Sequence, residues 1–227
     1  MIPSFRLFPD SASTVSGEVN GFFICMLILC SLMAIGIAAL IIYSCLRYHR
    51  AHERAIGDQR RYNVPLEVTW TVVPFVLFVG MFVWGAKMYF DIERPPDNAI
   101  SMYVVGKQWM WKIQHPEGQR EINTLHIPIG QPVKLTMTSE DVIHSFFVPS
   151  FRTKQDVLPG RYTTTWFEAS KAGKYHLFCA EYCGTKHSGM IGWIYAMPRK
   201  DYQTWLTQGA AEGSMASMGE KYFHQFG

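Results

Sequence analysis

The strongest chemical signal in the sequence is a short run of soft metal ligands towards its C-terminal end. The segment from Cys179 to Met190 reads CAEYCGTKHSGM, and its ligand-type side chains are those of Cys179, Cys183, His187 and Met190. A further imidazole, His144, lies upstream in the segment DVIHSFFVP. Thiolate and thioether ligands together with imidazole favour copper over hard cations.

The second cysteine distinguishes this pattern from that of a mononuclear copper site. One Cys, two His and a weak Met suffice for a blue-copper centre, so Cys183 is surplus to it. Two thiolates in one tight loop can bridge two copper ions, with His144 on one ion and His187 on the other. Met190 would complete the coordination of one of them. The ligand chemistry therefore favours a binuclear copper centre.

Two other interpretations of the cysteine pair account for part of the pattern. Cysteines in an oxidising compartment can form a disulfide, and two Cys with two His can bind zinc tetrahedrally. A disulfide would leave His187 and Met190 without a role. Zinc would employ the imidazoles but has no use for a thioether.

Two long apolar runs precede these residues and predict a membrane anchor. The chain of 227 residues is 48% apolar, and the run from Gly21 to Tyr43 contains no charge. About 20 apolar residues suffice to cross a bilayer as a helix. A second run extends from Val64 to Tyr89. We predict a tail over residues 1–20, then a transmembrane helical hairpin over residues 21–93 with a cytoplasmic loop over residues 47–62.

The distribution of arginine predicts the orientation of this hairpin. The N-terminal tail contains only Arg6, whereas the loop contains Arg47, Arg50, Arg54, Arg60 and Arg61. Short cytoplasmic loops hold the excess of Lys and Arg. Both termini and everything after Asp91 are therefore expected outside, on the periplasmic side of a bacterial plasma membrane. The formal net charge of +3 is too small to argue for nucleic acid as a partner.

Glu67 is predicted to lie in about the first turn of the second span, near the inner face. An ionisable group in a membrane helix is a functional hypothesis by default. A carboxylate at the interface, favoured by the dipole of a helix N-terminus, explains the same residue without any function. The residues alone leave both interpretations open.

Beyond the pair Pro95-Pro96, where a helix should stop, the pattern changes to that of β-strands. Residues 133–138, 162–167 and 191–197 alternate or are rich in β-branched and aromatic residues, with Gly and Pro turns between them. Such strands predict a β-sandwich or barrel over residues 97–198. A helical tail follows over residues 199–227, with a short helix over 201–211.

Three histidines without comparable ligands nearby are predicted to be ordinary surface or core residues: His115, His126 and His176.

The two ligand segments resemble those of subunit II of cytochrome c oxidase. The resemblance extends to both spans and to the segments Gly106–Trp111, Val148–Asp156 and Pro159–Arg161. It implies a membrane-anchored all-β protein, in which an N-terminal two-helix transmembrane hairpin precedes a cupredoxin-like Greek-key β-sandwich. In that family the sandwich holds the binuclear copper centre called CuA.

Carried over to this chain, the resemblance implies a role for each metal ligand. Cys179 and Cys183 match the bridging thiolates. His144 and His187 match the terminal imidazoles, and Met190 matches the weak axial ligand.

The resemblance also implies roles for three residues outside this ligand set. The backbone carbonyl of Glu181 would complete the second copper, and its side chain would reach a magnesium ion at the contact with subunit I. Trp109 matches the exposed tryptophan through which electrons arrive from cytochrome c. A strand aromatic of the core is the other interpretation of Trp109, and Trp111 is open to the same interpretation. Glu67 matches the carboxylate at the mouth of a proton path into subunit I.

The function implied is that of the electron-input subunit of a haem–copper terminal oxidase. Electrons would pass from cytochrome c through CuA to the haems and CuB of subunit I, where dioxygen is reduced to water with proton pumping. Subunit III, the lipid bilayer and a larger respiratory supercomplex are the other expected partners. A CuA-bearing nitric oxide reductase is the alternative. The retained ligands argue against a metal-free quinol-oxidase subunit, and an exposed exchangeable copper carrier would not require Glu67 or Trp109.

The last residues suggest a further domain. Met218–Gly227 resembles the opening helix of a class I cytochrome c domain, in which a haem-attaching Cys-x-x-Cys-His follows. The part from Asp91 to Gly227 is nearly balanced in charge and has no dense acidic cluster of the kind that binds a basic cytochrome c. We therefore expect a fused haem c domain beyond residue 227, as in caa3-type oxidases. An amphipathic tail helix is the simpler interpretation.

Overall fold

The computed structural model describes residues 8–49 and 62–212. Within them the chain forms three helices, which are α1 (Ser16–Arg47), α2 (Val64–Glu93) and α3 (Arg199–Glu212), and ten strands. One compact unit contains the chain up to Gly17 and again from Phe90 onward, and the other is Glu18–Tyr89. Most of the arginine-rich loop (residues 50–61) and the tail with the predicted opening of a haem domain (residues 213–227) lie outside the described residues.

Helices α1 and α2 contain the two predicted spans, and both are long and apolar enough to cross a membrane. Their most apolar stretches have mean hydropathies of 2.8 and 2.0 and are not buried by protein. The two helices contact each other through Phe22, whose ring meets that of Trp84 edge-on at 5.2 Å. Helix α2 ends at Glu93, just before the proline pair, and Glu67 lies in its first turn as predicted.

The strands form two five-stranded sheets. The first has the order β3-β2-β1-β5-β8, made of β1 (Ile100–Lys107), β2 (Met110–Gln114), β3 (Arg120–Ile122), β5 (Pro132–Ser139) and β8 (Thr163–Glu168). The second has the order β4-β10-β9-β6-β7, made of β4 (Thr124–Pro128), β6 (His144–Val148), β7 (Thr153–Val157), β9 (Gly173–Cys179) and β10 (Ile191–Met197). The three strands predicted from their patterns are found as β5, β8 and β10. The predicted class, a helical hairpin followed by a β-sandwich, is confirmed.

The alternation of residue types along β5 shows why the sheets pack face to face. Val133, Leu135 and Met137 are completely buried, while the polar residues between them are only half-buried. Each such apolar side chain contributes about 1.5–3 kcal/mol when it is removed from water. Trp111, also completely buried, packs against Phe146 of the opposite sheet with ring centroids 5.4 Å apart. Trp111 is thus the core aromatic that the sequence predicts.

The chain before α1 packs on the sandwich. The Ala12 amide donates to the Ser150 carbonyl at 3.0 Å, and the Ser170 amide donates to the Ala12 carbonyl at 2.9 Å. The hydroxyl of Ser13 donates to the Phe151 carbonyl at 2.8 Å. The two chain segments that flank the helical hairpin therefore belong to the same compact unit.

Helix α3, where a short helix is predicted, is held to the sandwich by a buried polar network. Glu121 accepts hydrogen bonds from His115 Nε2 at 2.7 Å and from His126 Nδ1 at 2.6 Å. His115 Nδ1 lies 3.1 Å from the Tyr202 hydroxyl of α3, and the Trp205 ring stacks on that of His126 at 4.4 Å. Burial raises the pKa of Glu121, but the two imidazole hydrogen bonds outweigh it and lower the pKa to about 2. The carboxylate is therefore ionised at neutral pH.

Removing this carboxylate should destabilise the sandwich. We expect Glu121→Ala to lower the free energy of unfolding by about 3 kcal/mol, because each hydrogen bond to a charged group contributes about 1.5–3 kcal/mol. Glu117→Ala, which removes an exposed carboxylate from the neighbouring turn, should change it by less than about 0.5 kcal/mol. Urea unfolding of the detergent-solubilised chain, followed by near-ultraviolet circular dichroism, measures both. Equal effects of the two substitutions would refute the role of Glu121.

Candidate metal centre

The five predicted ligand side chains converge at one end of the sandwich. Cys179 is the last residue of β9, His144 is the first of β6, and the other three follow on the loop between β9 and β10. The Sγ atom of Cys179 lies 3.8 Å from His144 Nδ1 and 3.7 Å from the Sγ atom of Cys183. The Sγ atom of Cys183 lies 3.4 Å from His187 Nδ1 and 3.7 Å from Met190 Sδ. Each thiol thus has one imidazole beside it.

A backbone carbonyl also faces this cluster. The carbonyl oxygen of Glu181 lies 3.2 Å from the Sγ atom of Cys179, while the Glu181 side chain is exposed. Trp109 lies at the tip of the β1–β2 hairpin and Glu67 lies in α2, which belongs to the other compact unit. Of these three residues, it is Glu181 whose backbone carbonyl lies next to a ligand side chain, that of Cys179.

Residues 180–190 link β9 to β10 and carry three of the candidate ligands, and we call them the metal-binding loop. This loop is fixed in place by the β1–β2 hairpin of the first sheet. Gln108 Nε2 donates to the Cys183 carbonyl at 2.8 Å. Gly184 has a φ of +111°, a conformation that L side chains rarely adopt. A Cβ atom on Gly184 would also lie 2.8 Å from Gln108 Nε2 and 3.4 Å from Trp109 Cζ2. A side chain at this position would therefore strain the backbone and crowd Gln108 and Trp109.

Asp141 orients the imidazole of His144. Its Oδ1 atom lies 2.8 Å from His144 Nε2, and its Oδ2 atom accepts a hydrogen bond from the Gln108 amide at 2.7 Å. With Nε2 held in this way, Nδ1 is the ring atom that faces the Cys179 thiol. Gly106 leaves room for the ring, since a Cβ there would lie 2.8 Å from His144 Cδ2.

The two thiols differ in acidity. Burial raises the pKa of Cys179, but hydrogen bonding with His144 and with the neighbouring backbone outweighs it and lowers the pKa to about 6. Burial raises the pKa of Cys183, and the negative charge of Cys179 raises it further, to about 12. Cys179 is thus the more acidic of the two thiols. A bound cation would favour ionisation of the second thiol, because metal ligands bind deprotonated.

The donor set fits a soft metal centre. Both cysteines are free, so the disulfide that the sequence left open is not formed. The donor atoms of His144, Cys179 and Cys183 all lie within 4.8 Å of one another and are buried. The thioether of Met190 is buried against them, and such a ligand suits copper and not zinc.

Sequence reasoning did not identify Gln108, Asp141 and Gly106 as parts of this site. Asp141 has a local signal, because it lies three residues before His144 and can reach its ring. Gln108 and Gly106 have no such local signal, because they lie on the β1–β2 hairpin of the other sheet, far from His144 in the sequence.

The fold and the cluster define a class of protein, a two-helix membrane anchor carrying a cupredoxin-like sandwich with a Cys–His–Met site. A family model for the transmembrane domain of cytochrome c oxidase subunit II matches residues 3–85, and one for its periplasmic domain matches residues 118–196. The chain belongs to the cytochrome c oxidase subunit II family. It is therefore a membrane-anchored subunit of a haem–copper oxidoreductase complex, and the family implies copper at this site.

Individual relatives agree with this assignment. The cytochrome c oxidase subunit 2 of Synechocystis sp. is 29% identical over 90% of this chain and 76% of its own length. That of Thermostichus vulcanus is 29% identical over 97% of this chain and 85% of its own length. The crystal structure of the periplasmic domain of subunit II of Bradyrhizobium japonicum cytochrome oxidase superposes with a TM-score of 0.51 at 27% identity, covering 53% of this chain and all of that one.

Loss of the carboxylate that holds His144 should weaken metal binding without removing a ligand. We expect Asp141→Ala to lower copper affinity about 10- to 100-fold, the usual effect of losing a partner that orients a ligand. Asp156→Ala, an exposed carboxylate of β7, serves as the matched control and should leave the affinity unchanged. Competition with a chelator of known affinity measures both variants. An unchanged affinity for Asp141→Ala would show that His144 is oriented by other groups.

Proposed function

We propose that this chain is the electron-input subunit of a terminal oxidase that reduces dioxygen to water and pumps protons. Electrons pass from cytochrome c to a binuclear CuA centre in the sandwich and then to the haems of subunit I. The single observation that carries the proposal is the placing of two thiols 3.7 Å apart, with an imidazole beside each. A mononuclear blue-copper site would have no use for the second thiol.

Cys179 and Cys183 would bridge two copper ions, His144 and His187 would each bind one of them, and Met190 would be the weak additional ligand. When bound, such a centre supplies one-electron transfer. The chain contributes a stiff frame in which the ligands keep their positions. The β1–β2 hairpin fixes the loop through the bond from Gln108 Nε2 to the Cys183 carbonyl. The His144 ring is fixed by Asp141, which itself accepts a hydrogen bond from the backbone amide of Gln108. The donors therefore need little rearrangement between redox states.

The proposed orientation places both termini and the sandwich outside a bacterial plasma membrane. Two observations support it. The segment before α1 hydrogen-bonds to the sandwich, which requires both to be on the same side of the bilayer. The arginines of the connecting loop favour the cytoplasm for that loop.

Three residues contribute outside the ligand side chains. Trp109, which adjoins the metal-binding loop at Gly184, is the proposed point of electron input. The Glu181 carbonyl would be a ligand of the second copper, and the exposed Glu181 side chain would bind magnesium at the contact with subunit I. Glu67, in the first turn of α2, lies at the proposed mouth of a proton path.

The proposed assembly contains subunits I and III in the lipid bilayer and can belong to a larger respiratory supercomplex. The donor is a soluble cytochrome c or a haem c domain fused beyond residue 227. The resemblance of Met218–Gly227 to a cytochrome c opening helix supports the fused form. Intact-mass measurement of the native subunit tests it, and a mass equal to that of the 227-residue chain would contradict the fusion.

The electron-input role predicts a specific defect in one cysteine variant. In the assembled oxidase we expect Cys183→Ser to slow oxidation of reduced cytochrome c by more than about tenfold. Substituting a group that only orients a metal ligand already lowers metal affinity or activity by about 10- to 100-fold. Cys30→Ser, in the exposed membrane face of α1, should leave the rate unchanged. Stopped-flow absorbance at the cytochrome band measures both. A normal rate with Cys183→Ser would contradict the role of the second thiol.

The proton-path role of Glu67 predicts a different defect. Glu67→Gln should slow steady-state turnover of the complex severalfold and reduce proton release, while the first reduction of the copper centre by cytochrome c stays at its normal rate. Glu93→Gln, at the other end of α2, is the control. If Glu67→Gln turns over normally, the carboxylate is an interfacial residue only.

A further inference from the structure

We propose that the hydroxyl of Thr71 and the backbone carbonyl of Trp70 hold the water molecule that receives protons from Glu67. The proposal rests on the proposed proton-path role of Glu67 and adds the next position of that path. Both groups lie near the start of α2, as does Pro74, the proline inside this helix. We call Glu67, Trp70, Thr71 and Pro74 the Glu67 face.

The helical period places these four residues on one side of α2. Residues three, four and seven positions apart lie above one another on a helix, and these are the spacings of Trp70, Thr71 and Pro74 from Glu67. The Thr71 hydroxyl donates to the Glu67 carbonyl at 2.9 Å. At a rise of about 1.5 Å per residue, Thr71 is about 6 Å further along the helix axis. A hydroxyl therefore lies one turn beyond the carboxylate.

Pro74 frees a backbone carbonyl on the same side of the helix. A proline has no amide N–H, so residue 74 cannot donate to the carbonyl of Trp70 in the usual helical pattern. Inside a bilayer, a carbonyl freed in this way takes its partner from a neighbouring helix, a hydroxyl or an ordered water. The Trp70 carbonyl is thus an acceptor close to the Thr71 hydroxyl and one turn beyond Glu67.

The Glu67 face is open to a partner other than α1. The contacts of Phe22 with Trp84 and of Cys25 with Met81 that join the two helices lie in the other half of α2. Trp70 and Thr71 are exposed. Within residues 8–49 and 62–212, the Glu67 carboxylate has no hydrogen-bond or ion-pair partner. A carboxylate, a hydroxyl and a freed carbonyl on one open face suit a chain of water molecules leading into subunit I.

Each proton moves through this face in two steps. It first binds the Glu67 carboxylate from the cytoplasmic side, and it then passes to the water held by Thr71 and Trp70. The hydrogen of the Thr71 hydroxyl is directed at the Glu67 carbonyl, so its oxygen accepts from the water, as the Trp70 carbonyl does. Acceptors favour the positively charged form of the water. The water passes a proton on to subunit I, Glu67 is again a carboxylate, and Thr71 is a positioning residue.

Thr69 offers a matched control within the same helix. Its hydroxyl donates to the Pro65 carbonyl at 2.7 Å, which is the same kind of bond that Thr71 makes. Thr69 is also exposed. It follows Glu67 by two positions, however, and residues at that spacing do not face each other on a helix. The two threonines therefore separate the effect of position from the effect of losing a hydroxyl.

The assembled oxidase in lipid vesicles tests the role of Thr71. We expect Thr71→Val to slow steady-state turnover and proton release about three- to tenfold, the effect of losing one hydrogen bond in the path. The first reduction of the copper centre by reduced cytochrome c should keep its normal rate. Thr71→Ser retains the hydroxyl and should restore turnover. Thr69→Val should leave turnover unchanged.

A second variant addresses the freed carbonyl. Pro74→Ala supplies the missing N–H, which would occupy the Trp70 carbonyl and withdraw it from the water. We expect turnover to slow while the first reduction of the copper centre again keeps its rate. Haem and copper contents of every variant are measured first, so that incomplete assembly is not mistaken for a blocked proton path.

The outcomes separate this proposal from the proposed function. Slow turnover with Glu67→Gln but normal turnover with Thr71→Val would overturn the proposal alone. Equal slowing by Thr69→Val and Thr71→Val would overturn it too, because the loss of any hydroxyl from α2 would then matter. Normal turnover with Glu67→Gln would contradict the proton-path role of Glu67, and this proposal with it.

Discussion

The structure depends on two buried thiols held 3.7 Å apart. Burial and the negative charge of Cys179 together raise the pKa of Cys183 to about 12, so the pair does not readily carry two negative charges. A cation held between the two sulfurs would remove this conflict. The rest of the sandwich can be understood as the frame that keeps the thiols, two imidazoles and a thioether around that charge.

The frame joins both sheets to the site. His144 and Cys179 lie on adjacent strands of the second sheet, whereas Gln108 comes from a hairpin of the first. Gln108 donates both to Asp141, which holds the His144 ring, and to the carbonyl of Cys183. The backbone amide of Gln108 thus fixes His144 through Asp141, and the side chain of Gln108 fixes the metal-binding loop. Trp109, the next residue, is placed against the loop by the same turn.

The clustering of the candidate ligands could be predicted from the sequence, because four of their side chains lie within one short segment, Cys179–Met190. The two membrane helices could be predicted because an uncharged apolar run has few other uses, and three strands were evident from their alternation. Pairings between distant residues could not be predicted. Gln108 and Asp141 are 33 positions apart, and His115 and Tyr202 are 87 apart. His115 is buried and His126 is half-buried, but the short-range pattern gave no sign that Glu121 joins them.

Electron paramagnetic resonance of the copper-loaded full chain tests the central claim most directly. If Cys179 and Cys183 jointly bridge two ions, the oxidised protein will show a hyperfine pattern from one unpaired electron shared by two copper nuclei. A pattern from an electron confined to one nucleus would mean that the second thiol bridges nothing, and it would contradict this account of the site.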